Sequence, residues 1–238
     1  MDKDIIDQFW ARDFFNCTVA DFRGTQDILC PHSYLSGYNG IFIMKISGKH
    51  IISAPENAIS GFCKIINRGH DLYEPNLLRT LLEKNFDQCI GPSWIGYPCH
   101  EDLGGGLADG TLLMPKGDEK RHALLEQLRV ACGPVDWSHC GIDEASECVA
   151  LLCSDGTALS SASYEKWGEK IAHIGILTHP QYRGRGHAQT VLRTITAYIC
   201  QQSLVPQYRT LCSNSPAIRA AGSCGFEEYA SHISIRLK

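Results

Sequence analysis

The chain has 238 residues, 44% of them hydrophobic, with 22 glycines and 10 prolines; this excludes a disordered tail and supplies apolar side chains for one large core or two small ones. Lys and Arg total 22 against 26 for Asp and Glu, a formal charge of -4, which gives no general attraction to nucleic acid or anionic lipid. The opening MDKDIIDQFW is acidic where a secretory signal is basic, and no later run approaches a membrane span, so a cytoplasmic protein without a membrane or nucleic-acid partner is expected. Twelve cysteines occur without any C-x-x-C pair, which points to small buried thiols rather than to a metal site or a disulfide scaffold.

Ile5, Ile6, Phe9, Trp10 and Phe14 fall at helical spacing and predict an amphipathic first helix. Gly40–Ser47 and His50–Ser53 read as a hairpin around Gly48-Lys49. Leu77, Leu78, Leu81 and Leu82 predict a second helix starting near Pro75. Gly91–Asp118, rich in Gly and Pro with Gly104-Gly105-Gly106, reads as loop and linker. A domain boundary is expected there, giving an N-terminal α/β portion over residues 1–118 and a second domain over 119–238. A third helix runs over Glu119–Cys132 and stops at Gly133-Pro134.

The second half has sharper signals. Glu147–Cys153 and Thr157–Tyr164 read as strands joined by an Asp155-Gly156 turn, and Ile171–Thr178 as a third. Ala188, Val191, Leu192, Ile195 and Ile199 share one face of the next helix. Tyr208–Ser213 reads as a strand, Ser215-Pro216 as the start of a short helix ended by Gly225, and Tyr229–Leu237 as a last strand. Residues 171–238 carry a net +5, leaving -9 on the first 170. That division suits an anionic ligand near the C-terminal third and a cationic one near the rest, or it is an uneven distribution of solvated charge.

A strand running directly into Arg183-Gly184-Arg185-Gly186-His187-Ala188 and then an amphipathic helix is a phosphate cradle in physical terms: glycines admit the anion, and the helix start offers unpaired N–H groups. A dinucleotide fingerprint needs a third glycine where Gln189 stands, and a P-loop needs Gly-Lys-Ser/Thr. Gln181-Tyr182-Arg183-Gly184-Arg185-Gly186 meets the pattern Q/R-x-x-G-x-G/A, inside a longer H-P-x-Y-R-G-R-G-x-A from His179 to Ala188; Asn214 and Gly225-Phe226 follow in order. From about Gly141 to Lys238 the chain resembles the GNAT family of acyl-CoA N-acyltransferases. The fold class implied is α/β (α+β), a mixed, mostly antiparallel sheet with flanking helices. Residues 1–118 are then an extra, substrate-shaping portion or a degenerate half of the same fold.

The resemblance implies acetyl-CoA as co-substrate, with its pyrophosphate on the backbone from Arg183 through Gly184, Arg185, Gly186 and His187 to Ala188, and its pantetheine arm on the backbone of Ile176, Leu177 and Thr178. One of those N–H groups would polarise the thioester carbonyl. Arg183 and Arg185 either add side-chain contacts or only raise the local potential. Asn214 corresponds to a residue that contacts the arm, or is a helix cap. Relatives carry a Glu on the strand before the loop; here His173 takes that place, and its ordinary pKa of about 6.5 suits a base near neutrality. Glu165 and Glu169 are reserve bases, and a structural histidine is the alternative. Where relatives carry a Tyr to protonate the leaving thiolate, this chain has Ala221; Ser223, Cys224 and Tyr229 are substitutes, and a thiol pKa near 8.5 makes the thiolate a tolerable leaving group unaided.

The expected activity is therefore acetyl transfer to a primary amine by direct attack in a ternary complex. A small cationic amine fits the acidic portion and a cleft lined by Ser160, Ser161 and Ser163; a protein or peptide amine is the other acceptor class. Three rivals remain: a cysteine acyltransferase using His139-Cys140, a non-catalytic acyl-CoA-binding module, and an enzyme acting on aminoacyl-tRNA, against which the acidic first 170 residues argue. Oligomeric state, monomer or homodimer, is not encoded.

Overall fold

The alternating stretch from residue 148 to 178 builds the centre of one unit in the computed structural model, which describes residues 3–33, 35–57, 59, 86–99 and 110–238. β6 (Cys148–Ser154) and β7 (Thr157–Trp167) pair antiparallel around Asp155-Gly156, where both residues have positive φ, 50° and 76°, the geometry a two-residue hairpin needs. β8 (Ile171–Thr178) pairs antiparallel with β7, and β5 (Thr111–Pro115) with β6. β9 (Val205–Leu211) joins β8 in parallel, from Ile171↔Val205 to Ile174↔Tyr208.

Helix α3 (Glu119–His139) lays Leu125 and Leu128 on this sheet, in a core with Met114, Val149, Leu151, Ala158 and Leu177. The expected stop at Gly133-Pro134 is a kink: Gly133 is non-helical (φ 78°, ψ 170°) and the helix resumes to His139. Helix α4 (His187–Gln201) buries Val191, Leu192, Ile195 and Ile199, as its periodicity predicts. Helix α5 (Ser215–Ser223) follows β9, and Gly225 (φ 80°) leads into β10 (Phe226–Leu237).

The chain divides into two compact units. The one just described holds residues 96–209 and 215–227, and the other holds 2–95, 210–214 and 228–238. In the second unit, helix α1 (Lys3–Gln8) continues as a π-helical turn, Phe9–Phe14, and a short helix α2 (Val19–Arg23) follows. β1 (Ile28–Pro31) pairs parallel with β3 (Lys49–Ala54), β3 antiparallel with β2 (Gly40–Ile46), and β2 antiparallel with the end of β10. Strand alternation sends Ile41 and Ile43 to one face, in a core with Ile52, Ile233 and Ile235, and Phe42 to the other, against Trp10, Phe14 and Phe15.

One expectation is corrected. Gly91–Asp118 is not all loop: β4 (Phe86–Pro98) runs through Gly91-Pro92, and β5 occupies residues 111–115. Trp94, Ile95 and Tyr97 are buried, and burial of a half-apolar strand outweighs the local turn signal of its Gly and Pro. The helix expected near Pro75 and the Gly104-Gly105-Gly106 loop lie outside the described residues. No described helix is long and apolar enough to cross a membrane.

Candidate active site

The β8–α4 junction is built by its glycines. Gly184 and Gly186 have φ of 76° and 84°, a left-handed conformation that costs a side-chain-bearing residue, and a Cβ at Gly184 would meet nothing within 4 Å. Gly186 is the N-cap of α4 and no side chain caps the helix. The first N–H groups of α4 therefore keep their donor capacity, with the positive end of the helix dipole behind them. His187 and Ala188 occupy the first turn. Arg185 is exposed, its guanidinium 5.4 Å from the Tyr182 ring.

Arg183 points elsewhere. Its Nη2 donates to Asp136 Oδ2 at 2.6 Å and its Nε to the Thr178 carbonyl at 3.2 Å, and the Asp136 hydrogen bond is the main cause holding its pKa above the ordinary arginine value. The β8 backbone beyond Ile174 has no ladder partner on β9. There Ile176 N–H donates to the Cys140 carbonyl at 3.0 Å, while the Leu177 carbonyl accepts from Ser160 Oγ.

His173 lies between these features and the far end of β8. Across the ladder stands Glu165 on β7, and on the parallel side Gln207 on β9. Side chains at one level share a face, so alternation adds Trp167 and Arg209 to it. Trp167 sets its ring 4.7 Å from the imidazole, donates its Nε1–H to Glu165 Oε2 at 3.0 Å, and carries the Arg209 guanidinium 4.8 Å from its own centroid. Burial pulls Arg209 down to about 10, with the charges of Glu165 and Tyr97 opposing. Gln207 is fully buried, its Nε2 donating to Tyr97 Oη, and its Oε1 has no partner among the described residues.

The remaining expected residues are dispersed. Ser223 is held where α5 meets α4, its Oγ donating to the Ala220 carbonyl and accepting from Gln189 Nε2. Cys224 is buried beside it, and desolvation raises its thiol pKa. Ala221 is fully buried. Asn214 and Tyr229 belong to the second unit; Asn214 N–H closes a turn onto Leu211, and Tyr229 Oη donates to Asp7 Oδ1 at 2.7 Å. Glu169 is exposed in the turn between β7 and β8.

One expectation and one rival reading fail here. Ser160, Ser161 and Ser163 line no open cleft: each is fully buried, because β7 is an interior strand between β6 and β8. His139 and Cys140 do not form a nucleophilic pair. His139 Nδ1 meets the Val135 carbonyl at 2.8 Å, Cys140 Sγ donates to the Trp137 carbonyl, and burial pushes the Cys140 thiol up, away from thiolate. The sequence reading missed Trp167, Gln207, Arg209 and Tyr97. Strand alternation alone was enough to place Trp167 with Glu165; the other three depend on the β8–β9 register and on packing.

Residues 118–226 match the family model described as acetyltransferase (GNAT) family. No curated protein sequence matches the chain. Among solved structures, a GNAT-family acetyltransferase from Colwellia psychrerythraea is 18% identical with a TM-score of 0.49 over 70% of this chain and 63% of its own. A putative GNAT acetyltransferase from Novosphingobium aromaticivorans is 22% identical, TM-score 0.48, over 63% of this chain and 65% of its own. This chain thus spans a little under two thirds of either protein. A putative acetyltransferase from Salmonella typhimurium, solved with its cofactor acetyl-CoA, is 13% identical, TM-score 0.40, over 55% of this chain and 95% of its own. The match of residues 118–226 to the family model covers β6 to α5, with the glycine cradle inside it, and makes this part of the chain a domain of the acetyltransferase (GNAT) family.

Proposed function

We propose that the domain transfers an acetyl group from acetyl-CoA to a primary amine by direct attack in a ternary complex. The observation that carries this reading is the uncapped start of α4 behind two left-handed glycines, at the end of a strand that has parted from its parallel neighbour. The cradle residues Gly184 to Ala188 fit a pyrophosphate, and the β8 backbone from Ile176 to Thr178 fits the amide-bearing arm. When bound, acetyl-CoA supplies an activated acyl carbon. The chain's own part is to hold it, to offer a β8 N–H to the carbonyl oxygen, and to remove a proton from the amine.

His173 is the proposed base. An ammonium has no lone pair, so a proton must leave before or during attack. Glu165, at the same ladder level, favours the imidazolium that forms, and the Arg209 guanidinium disfavours the ammonium form of an arriving amine. No Tyr stands at Ala221, so the thiolate departs to solvent protons.

The proposed acceptor is a small cationic amine, supported by the -9 charge of residues 1–170; a peptide amine is the second acceptor class. The test offers acetyl-CoA with amino-sugars, polyamines, neutral amino acids and lysine peptides at two ionic strengths while free thiol is followed. Polycations should show the highest kcat/KM and the steepest loss with salt. Preference for a neutral or acidic amine, or no salt effect, contradicts the acceptor class. The buried Ala221 also favours a second reading, an acyl-CoA-binding module, in which acetyl-CoA binds and no amine turns over.

A further inference from the structure

The backbone of β8 between the glycine cradle and His173 is the shortest path along which an acyl-CoA arm can join the two. That path is already occupied by the chain itself. Ile176 N–H, freed from β9 beyond Ile174, donates to the Cys140 carbonyl at 3.0 Å. The Thr178 carbonyl accepts from Arg183 Nε at 3.2 Å and lies 3.6 Å from Cys132 Sγ. Gly141 lies directly on Gly175: a Cβ on Gly175 would come 1.8 Å from the Gly141 carbonyl oxygen, which no side chain tolerates.

We propose that residues 133–143 are a strap that closes the donor path of β8 in the unliganded protein and lifts when an acyl-CoA binds, which rests on the acetyl-CoA reading above. The strap begins at the Gly133 kink, and Gly141 within it has φ 69°, so both ends of the last helical turn have backbone able to rotate. Polar contacts tie it to β7, β8 and the arginine beside the cradle. Asp136 pairs with Arg183 at 2.6 Å between two half-exposed side chains, Cys140 takes Ile176 N–H, and Asp143 N–H donates to Ser163 Oγ at 2.7 Å. Trp137, Cys140 and Ile142 of the strap also pack against the core under α3; of the ties to the rest of the unit, the exposed Asp136–Arg183 pair is the weak one.

The Asp136–Arg183 pair also links the strap to the cradle. Arg183 directly precedes the cradle, so a pyrophosphate placed on the start of α4 competes with Asp136 for its guanidinium. Phosphate is the better bidentate partner for arginine. Loss of the Asp136 contact frees one end of the strap, and the amide carbonyls of the arriving arm can then replace Cys140 on Ile176 N–H. The nucleotide end of the ligand thus unlatches the path its acyl end must enter. The closed state lowers apparent affinity by the fraction of time it is populated.

The test is calorimetry of acetyl-CoA and of ADP, which carries a pyrophosphate and no arm, on the wild type, Gly175→Ala and Asp136→Asn. Gly175→Ala collides with the strap and displaces it; it should tighten acetyl-CoA by about threefold to tenfold and, because the pyrophosphate is coupled to the same opening, tighten ADP by less. Asp136→Asn, an exposed change that keeps the fold, should tighten acetyl-CoA by about threefold and speed hydrogen exchange at the Ile176 amide in the unliganded protein. If the wild type binds acetyl-CoA and a folded Gly175→Ala binds it no better, or Asp136→Asn leaves both affinity and exchange unchanged, the strap is overturned while the acetyl-CoA reading stands. If acetyl-CoA binds to none of the three, the cofactor reading fails and the strap with it.

Discussion

Glu165 and His173 stand at the same level of the β7–β8 ladder, with Trp167 closing over them: its indole N–H donates to Glu165 Oε2 at 3.0 Å and its ring lies 4.7 Å from the imidazole. A carboxylate and an aromatic plate thus define one side of the proposed base, and Gln207 the other.

His173→Ala should lower kcat/KM by about a hundredfold or more and remove the acid-side limb of its pH profile, as loss of a general base does. Glu165→Gln removes the anion that favours the imidazolium, so the limb should move to lower pH with a smaller loss of rate. Wild-type rate and pH dependence in His173→Ala would return the residue to a structural role.

Arg209→Met separates stability from activity. Burial holds the guanidinium down at about 10. A folded value below the unfolded one means that folding opposes the charged form; the cost is complete below pH 10 and is relieved only as pH climbs toward the ordinary arginine value. At neutral pH the substitution should therefore leave Tm unchanged or raise it, while kcat/KM falls by about tenfold because the amine loses a neighbour that disfavours its ammonium. A lower Tm with unchanged kcat/KM would assign Arg209 to packing.

Cys140→Ser should keep kcat/KM within about twofold, since a thiol whose pKa is raised by burial and whose Sγ donates to the Trp137 carbonyl is no nucleophile. Alkylation of Cys140 should be slow at pH 7 and accelerate above pH 9. Loss of turnover in this variant would revive a covalent route.

Gly186→Glu should abolish acetyl-CoA binding in calorimetry while circular dichroism stays native. The backbone there has φ 84° and a Cβ would lie 3.2 Å from Gln189 Oε1, so the side chain brings strain and a negative charge to the N–H groups of α4. Unchanged affinity would dismiss the cradle.

The cradle was legible because all of it lies in one stretch: strand, two glycines and amphipathic helix follow within about thirty residues, and Ile171–Thr178 falls where alternation puts it. β4 was not legible, because Gly91-Pro92 and the closing Pro98 signal a turn locally while burial of Trp94, Ile95 and Tyr97 decides the outcome. The neighbours of His173 divide the same way. Glu165 and Trp167 share its face by hairpin parity, whereas Gln207 and Arg209 arrive through a parallel register that a single sequence does not display. The serines of β7 misled because three polar residues within four positions suggest a wet surface, yet Ser160 and Ser163 spend their hydroxyls on backbone groups in the interior. The strap depends on Gly141 meeting Gly175, a contact between two glycines that no periodicity marks.

Acetyl transfer to an amine from a thioester held on this cradle is tested most directly by amine-dependent thiol release from acetyl-CoA. Release is expected with at least one primary amine, lowered in His173→Ala and absent in Gly186→Glu. Acetyl-CoA that binds the wild type, with no amine of the panel producing thiol, would contradict it and leave the domain a binding module.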